Sequence, residues 1–202
     1  KEYVRVSDAD DPIRFYNWPV IGRMYRRRVE LCLSECRGGR RILEVGFGSG
    51  VTFLNLRESY NEIYGLDLTA NIDAVADLFE SHRLKLFLRQ GSVLEMPFKD
   101  SFFDCVLLIS ILEHLKPDEQ PKAFQEIFRV LKDGGQAVYG VPVERPIMTV
   151  MFRLLGYDIH KYHFSTEKDV RTAAQGIFGE GRITELNSMF GPVYQVGSFV
   201  KR

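Results

Sequence analysis

The sequence predicts an α/β fold in one domain, a mostly parallel sheet with helices on both faces and an antiparallel hairpin at its C-terminal end. Three observations carry this expectation. Apolar runs of strand length alternate with helix-period segments between residues 41 and 141, a glycine-rich loop follows the first run, and two closely spaced strand patterns end the chain. Strands read near 41–46, 62–67, 84–89, 103–110 and 135–141, and helices near 20–36, 50–58, 70–81 and 118–132. The helix at 118–132 is expected to stop at Gly134-Gly135, where a left-handed cap needs glycine. Thr166 followed by Asp169 reads as the N-cap of a last helix running to about Gln175. Arg182 to Ser188 and Tyr194 to Val200 then form the hairpin, joined through Phe190-Gly191-Pro192, and bring the sheet to seven strands.

Size and charge narrow the function. The 202 residues, 45% of them hydrophobic, suit one core. Lys+Arg and Asp+Glu both number 27, so no global field favours a polyanion, and nucleic acid is not an expected partner. Arg23, Arg26, Arg27, Arg28, Arg37, Arg40 and Arg41 crowd the segment before the first strand. They read as a solvated helix face, the alternative being a dock for an acidic substrate or an anionic membrane surface. Cys32, Cys36 and Cys105 make no complete disulfide set, which points to a reducing, cytoplasmic location. No stretch approaches the roughly 20 apolar residues that span a bilayer, and the N-terminal residues are charged where a signal peptide would be apolar.

The run Arg41-Ile42-Leu43-Glu44-Val45-Gly46-Phe47-Gly48-Ser49-Gly50 carries the most chemistry. A buried strand ending in an acid, then a loop with glycine at every second position and a helix, sets bare backbone N–H groups beside a ligand. Asp67, at the end of the next apolar stretch, can accept both hydroxyls of a ribose. The dinucleotide fingerprint G-x-G-x-x-G fails by one residue, because the glycines are Gly46, Gly48 and Gly50 and position 51 is Val.

The form E-x-G-x-G-x-G resembles motif I of the class I S-adenosylmethionine-dependent methyltransferases, whose ligand has no phosphate. Ile63-Tyr64-Gly65-Leu66-Asp67 is similar to that family's second strand and ribose-binding acid. Gln90 to Phe98 is similar to its adenine loop, and Ser101 to Ser110 to its fourth strand. Ile111-Leu112-Glu113-His114-Leu115 resembles the segment that follows, and Arg129 to Gly135 the helix end before strand five. The resemblance implies a Rossmann-like seven-stranded sheet with an antiparallel C-terminal strand, S-adenosyl-L-methionine as cofactor, and methyl transfer as the activity.

Residue by residue, the resemblance implies cofactor binding by Glu44, Gly46, Phe47, Gly48, Asp67, Leu68, Ser92, Val93 and Ser110. Glu44 has two readings, orienting the methionine amino end or tying down the glycine loop. Ser92 stands where the commoner pattern has Asp, a neutral acceptor for the adenine amine in place of a charged one. Leu68 and Ile72 are candidate apolar walls. Methyl transfer is an in-line displacement that asks for alignment and, with an alcohol or ammonium acceptor, a base. His114 and His163 are the catalytic candidates, with Glu113 either assisting or facing solvent. No metal is expected, since no Cys or acid set at metal spacing accompanies His160 and His163.

By these readings residues 1–40 form an N-terminal helical segment, 41–141 the cofactor-binding core, 142–165 a substrate cap, and 166–202 the last helix and hairpin. The acceptor is expected to be a small molecule, sugar or lipid precursor methylated on oxygen or nitrogen, held between Tyr16, Trp18 and the cap. The protein is expected to be a monomer or homodimer. A non-catalytic cofactor-binding sensor or assembly partner carries the same glycine loop and Asp67. Ile109-Ser110-Ile111-Leu112 lacks the N-P-P-Y-like tetrapeptide of base amino-methylation, and Cys105 follows Asp104, not proline, inside a strand, against cytosine C5 chemistry.

Overall fold

In the computed structural model, residues 21–143, 163–188 and 191–202 are described. The expected cap, with Arg145 and His160, falls mostly on 144–162, and Tyr16 and Trp18 on 1–20; both lie outside the described residues. The elements run α1 (Ile21–Glu35), β1 (Gly39–Val45), α2 (Phe53–Leu56), β2 (Tyr60–Asp67), α3 (Ile72–Glu80), β3 (Leu86–Gln90), β4 (Phe103–Ile109), α4 (Gln120–Val130), β5 (Leu131–Pro142), α5 (Glu167–Phe178), β6 (Arg182–Ser188) and β7 (Gly191–Val200). A 3-10 turn, Leu112–His114, follows β4.

The seven strands form one sheet in the order β3-β2-β1-β4-β5-β7-β6. The pairs from β3 through β5 are parallel, and β7 lies antiparallel between β5 and β6. Both faces are covered. Cys105 and Leu107 of β4 pack in the cluster that includes Cys32 of α1 and Val75 of α3, whereas Val106 and Leu108 pack with Phe124 of α4 and Val170 of α5. Burial on both faces is why β4 reads as an unbroken apolar run. The strand order reverses between β1 and β4, and in an open α/β sheet the crevice at such a switch point is where a ligand sits.

Local chemistry sets the helix ends. Thr166 and Asp169 form a reciprocal capping box at the start of α5, and the Asn71 side chain accepts from Ala74 N at the start of α3. The expected helix at 50–58 is a single turn, Phe53–Leu56, because Gly50 and Val51 are still in the loop. The helix expected at 118–132 ends instead at Val130, and Gly134-Gly135 does not cap it. Leu131 is already extended (φ −74°, ψ 141°) and pairs with Phe103, and the glycines sit in an irregularity of β5 before Gln136 pairs with Cys105. Gly134 has φ +77°, and a Cβ on Gly135 would come within 2.7 Å of the Lys132 carbonyl, so the position serves the strand and not the helix. Gly134 N and Gly135 O are bonded to Lys201 O and N at 2.9 Å each.

Candidate functional site

The loop between β1 and α2 is shaped by glycine at positive φ: Gly46 +72°, Gly48 +52° and Gly50 +71°. At Gly46 a second demand joins the first, since a Cβ there would lie 1.9 Å from Ile111 Cδ1. The loop therefore passes directly under the segment after β4, and only a residue without a side chain fits.

Asp67 ends β2 and joins two loops. Its Oδ2 accepts from Gly48 N at 2.9 Å, and its Oδ1 accepts from Thr69 N and Ala70 N at 2.9 Å each. The carboxylate thus aligns the glycine loop and the β2 turn as one cradle, with one lone-pair site, on Oδ2, left for a further donor. Leu68, next in sequence, is 65% exposed, and its carbonyl accepts from Gln90 Nε2.

Glu44 is buried, and Thr52 Oγ1 donates to its Oε2. Burial pushes its carboxyl up to about 8, the Thr52 bond opposing and the nearby Asp67 charge adding to the rise. Thr52 lies just past the glycine loop, so this bond ties the loop's far end to β1, the second of the two readings of Glu44. Phe47 turns its ring into the core, against Phe53 at 5.6 Å and over Gly65, so only its backbone borders the loop.

Past the end of β3, Ser92 Oγ accepts from Leu94 N at 3.1 Å in a local turn, and Val93 is buried in the core. The loop from Met96 to Phe98 is clamped from α4. Arg129 donates to the carbonyls of Met96 and Phe98 at 2.9 and 2.8 Å, and Glu126 Oε2 accepts from Met96 N at 2.7 Å. Nothing in the local sequence signalled this clamp, because its partners are some thirty positions apart.

Ser110 closes β4 in a left-handed conformation (φ +56°), uncommon for a non-glycine residue, with its N–H on Gly140 O at 2.8 Å. Its hydroxyl lies 3.0 Å from Tyr194 Oη, and the Arg28 guanidinium covers the buried Tyr194 ring at 4.9 Å. Tyr194 carries no motif and was missed in the sequence. Glu113 does not face solvent: it is 3% exposed.

Beyond Ser110, His114 and His163 meet edge to face with centroids 5.4 Å apart. Their segments are strapped together. Phe164 N and Ser165 N donate to Glu113 O at 2.8 and 3.3 Å, and Ser165 Oγ donates to Leu115 O at 2.6 Å. The two catalytic candidates, distant in sequence, therefore share one place with Glu113 above the end of β4. A polar hollow lined by Arg37, Gln136, Arg182 and Ser198 lies at the opposite ends of the strands and includes none of these residues.

A family model described as "Methyltransferase domain" matches residues 43–139. An uncharacterized protein of Methanocaldococcus jannaschii is 38% identical over 97 residues, 48% of this chain and 38% of that protein. The ubiquinone/menaquinone biosynthesis C-methyltransferase UbiE of Vibrio cholerae is 28% identical over 153 residues, 71% of this chain and 55% of that protein. The chain thus spans about half or less of the length of these curated relatives. Among solved structures, the N-methyltransferase NodS of Bradyrhizobium japonicum, in complex with S-adenosyl-L-homocysteine, superposes with a TM-score of 0.71. Its sequence identity is 17%, over 95% of this chain and 92% of that one, a likeness of fold.

Proposed function

From its place among the class I S-adenosylmethionine-dependent methyltransferases, to which the chain belongs, we propose that it binds S-adenosyl-L-methionine across the ends of β1 and β2. The methyl group then passes to an oxygen or nitrogen of a small molecule, sugar or lipid precursor. The observation that carries this reading is the Asp67 carboxylate, which holds Gly48 N–H on one side and Thr69 and Ala70 N–H on the other. That cradle suits a ribose diol: one hydroxyl adds a charge-assisted bond at the site left on Oδ2, and the second shares an oxygen with a backbone N–H.

A pyrophosphate is poorly served here. It needs a helix starting at the third glycine, whereas α2 has four residues and begins at Phe53, so few N–H groups and little dipole face the loop. In this reading the backbone at Gly48 borders the ligand's main body, Gly46 keeps the loop close under Ile111, the Ser92 to Phe98 loop borders the adenine, and Ser110 lies toward the sulfonium. Glu44 supports the loop through Thr52, and its other carboxyl oxygen is assigned in this reading to the cofactor's amino group.

In the transfer itself a lone pair of the acceptor attacks the methyl carbon in line with the C–S bond, and the bonding electrons stay on sulfur, giving S-adenosylhomocysteine. The protein's part is mainly alignment. An alcohol or ammonium acceptor must also lose a proton, and in this reading that role falls to His114 and His163, which the strap from residues 163–165 brings together. This pair favours a heteroatom acceptor; the relatives' names include both a C- and an N-methyltransferase. Residues 142–165 act as the acceptor's cap, and the location is cytoplasmic, in keeping with three free cysteines.

The test is calorimetry with S-adenosylhomocysteine and NADH, followed by release of S-adenosylhomocysteine with a panel of hydroxyl and amine acceptors. Tighter NADH binding sinks the cofactor assignment. Tight S-adenosylmethionine binding with no turnover on any acceptor identifies a sensor in place of an enzyme.

A further inference from the structure

We infer that Glu113, His114 and His163 form a binding site for a divalent transition-metal ion, zinc by the chemistry of its donors, at the acceptor side of the cradle. The potential ligand atoms of the three side chains all lie within 4.8 Å of one another. In a tetrahedral zinc shell, with bonds of about 2.0 to 2.2 Å, donors stand roughly 3.4 Å apart. Closing from 4.8 Å therefore takes at most about 1.4 Å, within reach of side-chain rotation alone.

Two imidazoles and a carboxylate are the donor set of open catalytic zinc sites, which keep a fourth position for water or substrate. Hard ions that prefer an all-oxygen shell, magnesium and calcium, are disfavoured by the two nitrogens. The backbone is already set for a ligand. The 3-10 turn fixes Glu113 and His114, with Gln120 Nε2 donating to Leu112 O at 2.6 Å. Phe164 N on Glu113 O and Ser165 Oγ on Leu115 O fix the chain next to His163, three residues before the Thr166 cap of α5. Glu113 is buried while His114 is exposed and His163 half-buried, so the site has a closed side and an open side. Its position next to Ser110 and Ile111, which overlies Gly46, puts the open side near the methyl donor.

Resting on the methyl-transfer reading, the inference also narrows the acceptor to a hydroxyl or enol oxygen that can enter the open position. A cation held there would make a hydroxyl entering the open position more acidic, its proton passing to solvent water, so that the oxygen would be the better nucleophile toward the methyl carbon while the C–S electrons remain on sulfur. His114 and His163 are then ligands rather than bases.

The experiment uses the full chain stripped with a chelator and titrated with cobalt(II), followed by visible ligand-field absorption and by zinc competition. One cobalt per chain, displaced by zinc, is expected. Glu113→Gln, His114→Ala and His163→Ala should each weaken binding by more than the roughly 10- to 100-fold lost with an outer-shell partner. Because His114 is exposed, His114→Ala keeps the test decisive if the Glu113 variant fails to fold. Absence of cobalt absorption, or binding undiminished in His114→Ala and His163→Ala, overturns the inference. Binding of S-adenosylhomocysteine to the stripped protein is measured alongside: if it persists without metal binding, the metal site alone falls, and if metal binds but the nucleoside does not, the cofactor reading falls.

Discussion

Replacing Glu44 by glutamine should make the empty protein more stable at alkaline pH. Glu44 is 3% exposed, and burial raises its carboxyl from 4.5 to about 8. Between those values the folded chain keeps a proton that the unfolded chain releases, so stability must fall as pH rises through the window. The slope is about 1.4 kcal/mol per pH unit, and 8 minus 4.5 is about 3.5 units, which sets an upper limit of about 5 kcal/mol. Glutamine keeps the shape and the acceptor for Thr52 Oγ1 without the ionisation. Urea unfolding from pH 5 to 9 should show the wild type losing stability relative to Glu44→Gln, with the variant a few kcal/mol ahead at the upper end. Parallel profiles, differing by a constant across the range, would refute the burial argument. On the proposed reading, in which the cofactor's ammonium group meets Glu44, the carboxylate is favoured and binding at pH 7 should release a proton, read by calorimetry in buffers of different ionisation heat.

Asp67→Ala removes the acceptor of three backbone N–H groups as well as the proposed ribose partner, and should weaken S-adenosylhomocysteine binding by roughly tenfold or more, about 1.5 to 3 kcal/mol. Ser92→Ala should cost about 0.5 to 1.5 kcal/mol of stability through Leu94 N, and lower nucleoside affinity by a similar amount if the hydroxyl also meets adenine, whereas Ser92→Asp should preserve both; equal affinity in all three proteins takes position 92 out of the adenine site. Arg129→Leu, which unclamps the carbonyls of Met96 and Phe98, should speed amide exchange in residues 92–98 while leaving β1 protected. Thr166→Ala breaks the capping box and should destabilise the protein by about 0.5 to 2 kcal/mol in urea titration.

The parts of the fold legible in the sequence were those dictated by a single local demand. Glycines at positive φ marked the loop after β1, an apolar run buried on both faces marked β4, and Thr166 with Asp169 marked the start of α5. Gly134-Gly135 misled because the same conformational freedom that caps a helix also serves a strand irregularity. Only the pairing with Phe103 and Lys201, both remote in the chain, decides between the two. The site divides the same way. Gly48 and Asp67 announce themselves by type and spacing, and the structure joins them by a 2.9 Å bond. The meeting of Glu113 and His114 with His163 depends on a strap between two segments about fifty residues apart, and no spacing rule reaches that far. Thr52 and Tyr194 were silent for a related reason: each matters through one partner brought to it by folding.

The insertion of β7 between β5 and β6 has a consequence for the nascent chain. Residues 191–200 leave the ribosome after every other described strand, yet they supply the partner for Gln136 to Pro142. Until they arrive, the edge of β5 is open, the buried rings of Tyr194 and Phe199 are missing from the two faces of the sheet, and β6 has nothing to pair with. A message truncated just before Gly191 would therefore encode the glycine loop and Asp67 on a sheet with an unpaired apolar edge, a template for aggregation. The earlier strands are therefore protected only once residues 191–200 have paired with β5.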